Sequence, residues 1–263
     1  MISSRQSLRL WRLCCLLGLG LLPLGGMTAG ADAEVESTLD WARTVSLSTS
    51  VSGVVATVRV EKGQRVRRGQ VLLELDDRSL QAEVAAKKAQ LKQAENNRDE
   101  AARELERTQE LYDRTLLSDH DLQLAEIQRD AAEAAFQTVR TALIRAEQNL
   151  YYSQIRAPFD AWVLQRRAQP GQTVVVALQA EPLLVLAEAG RMLARGVVSG
   201  AETAKFHVGQ KARVNVAGKH YDGKVTFVAM EPRAAGKNEY LIEVMFTSGA
   251  STLRVGQPAT LEF

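Results

Sequence analysis

Cysteine is almost absent from this chain. Its two cysteines, Cys14 and Cys15, stand side by side near the amino end. Beyond residue 33 there is no thiol left for a disulfide or a thiolate metal site. Histidine is as sparse: His120, His207 and His220 are scattered and share no ligand spacing. Two of the five methionines, Met1 and Met27, lie in the leading segment and the others are spread over the last third, so no methionine-rich copper site is read. No Ser/His/Asp set, P-loop or glycine-rich nucleotide fingerprint occurs, and the expectation is a non-enzymatic protein with no cofactor and no metal. A charge excess is missing too. The first 33 residues hold Arg5, Arg9, Arg12 and Asp32, and the remainder carries 30 basic and 30 acidic residues. The overall pI of about 8.6 therefore gives no support to nucleic-acid binding. After residue 33 no apolar run approaches the roughly 20 residues of a membrane span.

The leading segment has features of its own. Three arginines precede an apolar stretch from Leu13 to Leu24, and Ala31-Asp32-Ala33 supplies small residues for a cleavage site. This is the layout of a signal peptide cut before Glu34, which marks the mature chain for export. An uncleaved anchor is the alternative; the shortness of the stretch and its Gly18, Gly20 and Pro23 speak for cleavage.

Glycine and proline are both missing from about Arg78 to Arg114, where Ala, Glu, Lys, Gln, Leu and Arg dominate. These are strong helix formers. Val84, Leu91, Ala94, Ala101, Leu105 and Tyr112 fall near one heptad stripe, with Lys87, Arg98 and Thr108 in the other seam positions. A second helix is predicted from about Asp119 to Leu150, its stripe formed by Ala125, Ala132, Phe136, Val139, Leu143, Ala146 and Leu150. Two narrow stripes fit an antiparallel two-helix coiled coil. Between them lies Thr115-Leu116-Leu117-Ser118, with Ser118 as N-cap and Asp121 completing a capping box. Two readings stand for Leu116 and Leu117: a hydrophobic staple folded back on the helix, or an apolar contact exposed at the end of an arm.

The helical block interrupts a β repeat. Val55 is followed nine residues later by Gln64 in Gly63-Gln64-Arg65-Val66, and Val163 nine residues later by Gln172 in Gly171-Gln172-Thr173-Val174. Each half reads as alternating strands broken by a glycine turn, and together they would close one small sandwich. Asp76-Asp77, where the arm leaves, is read as a helix cap. From Met192 onward the pattern is all β, with Gly209-Gln210 and Gly256-Gln257 echoing the earlier turns, and a short helix over Ala201 to Phe206 plugging one end of a barrel.

With Ile155-Arg156-Ala157-Pro158-Phe159-Asp160 added, these residues resemble the periplasmic adaptor subunits, the membrane fusion proteins of the HlyD family, that serve RND-type tripartite efflux pumps. The resemblance covers nearly all of residues 45 to 263. It implies an elongated α+β fold: a signal peptide (1–33), a leading segment (34–50), a lipoyl-like β-sandwich in two halves (51–76 and 152–190) split by a coiled-coil hairpin (77–151), and a β-barrel (191–263). No lysine-bearing carrier motif occurs where the arm replaces the lipoyl turn. Arg107, Leu111 and Ser118 match in spacing the tip by which family members dock on TolC-type outer-membrane channels. The implied contact set is Arg107, Leu111, Leu116, Leu117 and Ser118, with Arg107 reaching carbonyls or carboxylates on the channel. The implied partners are an inner-membrane RND transporter, a TolC-type channel and further copies in a ring, six by resemblance, with no nucleic acid. An adaptor of an ABC-type exporter or secretion system is the alternative, with a lipoyl- or biotinyl-like carrier domain, which the missing lysine motif speaks against, as the other. Two departures stand out. Ala161 replaces a usual glycine, which would strain a left-handed backbone by about 1 kcal/mol. The chain also stops at Phe263, where the barrel ends, so a membrane-proximal domain is expected to be missing and pump contact to come from the barrel and residues 34–50.

The leading segment can be tested directly. Amino-terminal sequencing of the exported protein should begin at Glu34; a membrane-bound species retaining residues 1–33 would make the segment an anchor.

Overall fold

The computed structural model describes residues 34–176, 182–249 and 252–263. The expected signal peptide lies outside the described residues. Three units follow from the pairing of fourteen strands and two long helices.

The first unit is built from two four-stranded sheets. One runs β2 (Thr44–Leu47), β9 (Leu184–Glu188), β7 (Ala161–Arg166), β4 (Arg65–Val66); the other runs β6 (Gln154–Arg156), β5 (Val71–Leu75), β3 (Gly53–Val58), β8 (Thr173–Val174). Each sheet mixes strands from both sides of the helical block. Val55, Val66, Leu72, Leu73, Val163, Leu184 and Leu186 form the shared core. The repeated Gly-Gln dipeptide builds it. In Gly63-Gln64 the glycine takes φ +83, the third position of a turn that only glycine adopts freely. The Gln64 amide bonds back to Glu61 O (3.1 Å), and its side-chain Oε1 accepts from Glu61 N (2.9 Å). The turn then grips the other half: Gly63 N donates to Val163 O (2.8 Å) and Val163 N to Gln64 O (2.9 Å). The second half answers in kind, Gly171 N to Val55 O (2.8 Å) and Val55 N to Gln172 O (2.9 Å). The same device recurs at Gly69-Gln70 on Ala157, Gly209-Gln210 on Val225 and Gly256-Gln257 on Leu39, and every gripped residue is buried.

Ala161 corrects one expectation. It lies in ordinary strand geometry and is fully buried, and the only non-glycine residues with positive φ among those described are Thr115 and Ala217. Its methyl group fills core space rather than straining the chain. Asp77 stands at the N-cap of the first helix, as expected, but makes no side-chain cap bond. Asp76 accepts from the Arg78 amide instead (3.3 Å), and pairing with the Arg78 guanidinium lowers its pKa to about 2.

The helices α1 (Arg78–Asp113) and α2 (Asp119–Tyr152) run antiparallel, as the Lys88–Glu147 ion pair near the base and the Tyr112–Asp119 bond at the far end show. Val84, Thr108, Ala125, Leu143 and Ala146 are buried, and the remaining stripe positions are half-buried. Arg98 lies over the Phe136 ring at 4.4 Å, which is how a cation is tolerated in the seam.

The third unit is a closed barrel, ordered β1-β10-β13-β12-β11-β14. Its strands are β1 (Glu34–Trp41), β10 (Arg191–Ser199), β11 (Lys211–Val216), β12 (Lys219–Val228), β13 (Glu239–Thr247) and β14 (Pro258–Glu262). Residues 34–50 are therefore not a leading segment ahead of the domains. β1 closes the barrel between β10 and β14, and β2 joins the sandwich. The period-two pattern explains it: Ser37 and Leu39 turn inward and are buried, while Glu36 and Thr38 face solvent. The short helix α3 (Gly200–Thr203) leads to Phe206, which enters the barrel core against Phe263 with ring centroids 4.5 Å apart.

Two alanine substitutions should separate conformational from packing cost. Gly171→Ala meets nothing within 4 Å but must hold φ +84, and should lose about 1 kcal/mol. Gly196→Ala would set its Cβ 2.8 Å from Val35 Cγ1 and 3.2 Å from Ile242 Cγ2 and Leu261 Cδ1, and should lose about 1–3 kcal/mol through overpacking. Chemical denaturation of both variants measures the difference.

Candidate docking site at the hairpin tip

Of the five residues expected at the tip, Leu111, Leu116, Leu117 and Ser118 border the turn, while Arg107 lies further back on α1, and their side chains are not all free. At the end of α1 the chain closes a Schellman turn. Thr115 N bonds to Tyr112 O (2.8 Å) and Leu116 N to Leu111 O (3.0 Å), with Thr115 at φ 62 where glycine is usual. A β-branched residue in this region is strained. Ser118 then starts α2. Its Oγ accepts from Asp121 N (3.3 Å) and donates to Asp121 Oδ2 (2.6 Å), and Ser118 N donates to the same oxygen (3.0 Å). The side-chain and backbone bonds from Ser118 hold the Asp121 carboxyl below its ordinary pKa. Tyr112 Oη donates to Asp119 Oδ1 at 2.6 Å, which ties the two helices across the turn and pushes the phenol pKa up.

The Ser118 hydroxyl is thus occupied by the cap. Arg107 is bonded to Glu104 one turn back on its own helix, which raises its pKa and leaves the spot neutral overall. Leu116 is 67% exposed, which makes it a surface residue at the extremity. Leu117 and Leu122 are both half-buried and occupy the two positions a hydrophobic staple uses, one residue before the cap and four into the helix. Leu111 is half-buried beside the seam. Two apolar residues escaped the sequence reading: Leu124 and Ile127, 44% and 57% exposed on the first turns of α2. Their signal was present, since both fall outside the heptad stripe of an otherwise polar surface.

The tip's electrostatics have a pH consequence. Asp121 has a lower pKa folded than unfolded, so the cap stabilises the turn at neutral pH and loses that effect as pH falls below the ordinary aspartate range. The strain can be measured as well. Thr115→Gly should relieve the left-handed position and stabilise the hairpin by about 1 kcal/mol, read as a raised midpoint of helix loss. No gain would mean that threonine is held there without strain.

Comparison with known proteins agrees with this architecture. Residues 43–180 match the family described as CzcB-like, barrel-sandwich hybrid domain. The chain is 32% identical over 211 residues to macrolide export protein MacA of Yersinia pestis, covering 74% of this chain and 57% of that protein. It is 30% identical over 243 residues to the pyoverdine export membrane fusion protein PvdR of Pseudomonas putida, covering 79% and 62% respectively. The chain thus spans less than two thirds of either relative. In fold it is similar to the membrane fusion protein Spr0693 of Streptococcus pneumoniae R6, with a TM-score of 0.67 at 16% identity, covering 88% of this chain and 97% of that one. On its barrel-sandwich hybrid domain, split by a helical hairpin and joined to a closed barrel, this chain belongs to the membrane fusion protein, or periplasmic adaptor, family.

Proposed function

We propose that the protein is a non-enzymatic periplasmic adaptor linking an inner-membrane efflux transporter to a TolC-type outer-membrane channel. The transporter type follows the sequence resemblance and is RND. The protein is exported with cleavage before Glu34 and works as a ring of copies, six by that same resemblance, with lateral contacts through the sandwich and barrel. The hairpin acts as a two-helix coiled coil whose tip, Arg107, Leu111, Leu116, Leu117 and Ser118, meets the channel.

One observation carries this reading. A hairpin whose first helix has 36 residues leaves and re-enters one β core, and at 1.5 Å per residue its tip stands about 50 Å from its base. Such an arm spans a gap; it does not enclose a substrate. Its extremity presents Leu116 to solvent, which suits a contact made on assembly.

Arg107→Asp and Leu111→Asp test the docking role. The first sets a second carboxylate beside Glu104, and the second places a charge where the contact is apolar. Each variant should be exported and keep wild-type helix content and protease resistance, and each should lose efflux. Full efflux from both, in cells that supply the transporter and a TolC-type channel, would overturn docking at the tip.

A further inference from the structure

The hairpin has two different sides, and the seam shows which residue lies on which. Buried and half-buried positions recur every seven residues from Val84 to Tyr112 and from Ala125 to Ala146, so the rows flanking the seam keep the same step. The Lys88–Glu147 pair marks one side. A groove lined by Glu83, Thr138, Ala142 and Asn149 marks the other. Steps of seven from Glu83 reach Glu104 and Leu111, and from Thr138 they reach Leu124; Arg107 borders the Glu104 row on the same side, and Ile127, three residues after Leu124, adjoins it on the outer face of α2. Steps of seven from Glu147 reach Glu126 and Asp119, with Glu106 and Asp113 in the neighbouring row of α1.

Near the tip these sides diverge in character. The groove side offers Leu111 and Leu124, continued onto the outer face of α2 by Ile127, and its cation Arg107 is already paired with Glu104. The opposite side offers Glu106, Asp113 and Glu126, none of which has a cationic partner among the described residues. From Arg103 to Asp130 the chain carries eight carboxylates against four arginines, although the whole chain is formally +2. The acidic surplus is thus concentrated at the end of the arm.

We propose that the tip is a two-sided plug: Leu111, Leu124 and Ile127 form an apolar face and Glu106, Asp113 and Glu126 an acidic one. The partner that receives it is a protein surface whose cleft has one apolar wall and one wall bearing lysine or arginine. This rests on the adaptor reading and adds to it the polarity and charge sign of the partner. The apolar wall removes two exposed branched side chains from water, and the basic wall complements carboxylates that form no ion pair among the described residues. Both are needed to fix the rotation of a narrow arm about its own axis, which an end-on contact through Leu116 alone leaves open.

The test uses the full exported protein and the host's TolC-type channel in nanodiscs, with affinity read by biolayer interferometry. Leu124→Gln with Ile127→Gln should weaken binding about tenfold. Glu106→Gln with Glu126→Gln should weaken it comparably at low salt and flatten its salt dependence, because exposed charges are screened beyond about 8 Å at physiological ionic strength. Arg140→Gln, on the acidic side but far from the tip, should bind as wild type. All these residues are exposed, and unchanged helix content checks the fold. Wild-type affinity in both double variants would overturn the plug while leaving the adaptor reading intact. Failure of the wild-type protein to bind the channel at all would overturn both. Loss in the aliphatic pair alone would overturn the basic wall.

Discussion

Everything in this protein hangs on the exchange of backbone hydrogen bonds between two segments about a hundred residues apart. Gly63-Gln64 closes on Val163, and Gly171-Gln172 closes on Val55. Neither half has enough strands to hide its own apolar face. Each turn is internally locked by its glutamine side chain, so it meets its partner strand already shaped. Because the grip is reciprocal, the sandwich forms only when both ends of the helical block have returned to the same place. The hairpin is thus an insertion that the β core tolerates because its ends are held together. At the base, Ser153 is buried and its carbonyl accepts from Leu75 N (2.9 Å). The buried Thr49 hydroxyl lies within reach of Val51 O (2.9 Å) and Tyr152 O (3.4 Å).

The arm itself is thinly held. Its seam is rich in alanine, and Val84, Leu143 and Ala146 with Leu91 and Leu150 make up its one compact apolar cluster, near the base. A two-helix seam of this kind removes little area from water, so helix propensity and fixed ends carry much of the stability. The tip compensates with polar closure: a Schellman turn, a reciprocal cap and the Tyr112–Asp119 tie. Such bonds fix the geometry of the turn without consuming apolar side chains, which leaves Leu116 and the aliphatic residues of α2 outside.

Much of this was legible in the sequence because it is local or repeated. The absence of glycine and proline with a heptad stripe exposes the helices, Ser118 and Asp121 announce their cap, and the Gly-Gln dipeptides repeat at fixed offsets. What was not legible depends on distant partners or on phase. Glu34 to Trp41 alternates as a strand should, but its neighbours are Gly196 and Glu262, and no local signal says which sheet it joins. Thr115 in a left-handed conformation is hidden because the usual marker, glycine, is missing. The Glu104 partner of Arg107 sits three residues away, a common helical spacing that gives no hint that the expected contact residue is already engaged.

Leverage connects the base to the tip. An arm about 50 Å long converts a tilt of about 5° at its root into a displacement of about 4 Å at its end. That is close to the size of a side chain, enough to move an aliphatic group out of a matching groove. Precision at the tip is therefore a property of the buried joint, where Thr49, Ser153 and the strands β5 and β6 hold both helix ends. The chain places its rigid hydrogen bonds at the root and its exposed apolar and acidic groups at the extremity. A contact site on the sandwich would need no lever, and a flexible root would blur any site on the arm. A locked root and a chemically asymmetric tip together fit the proposed docking, in which the far end meets its partner in one orientation.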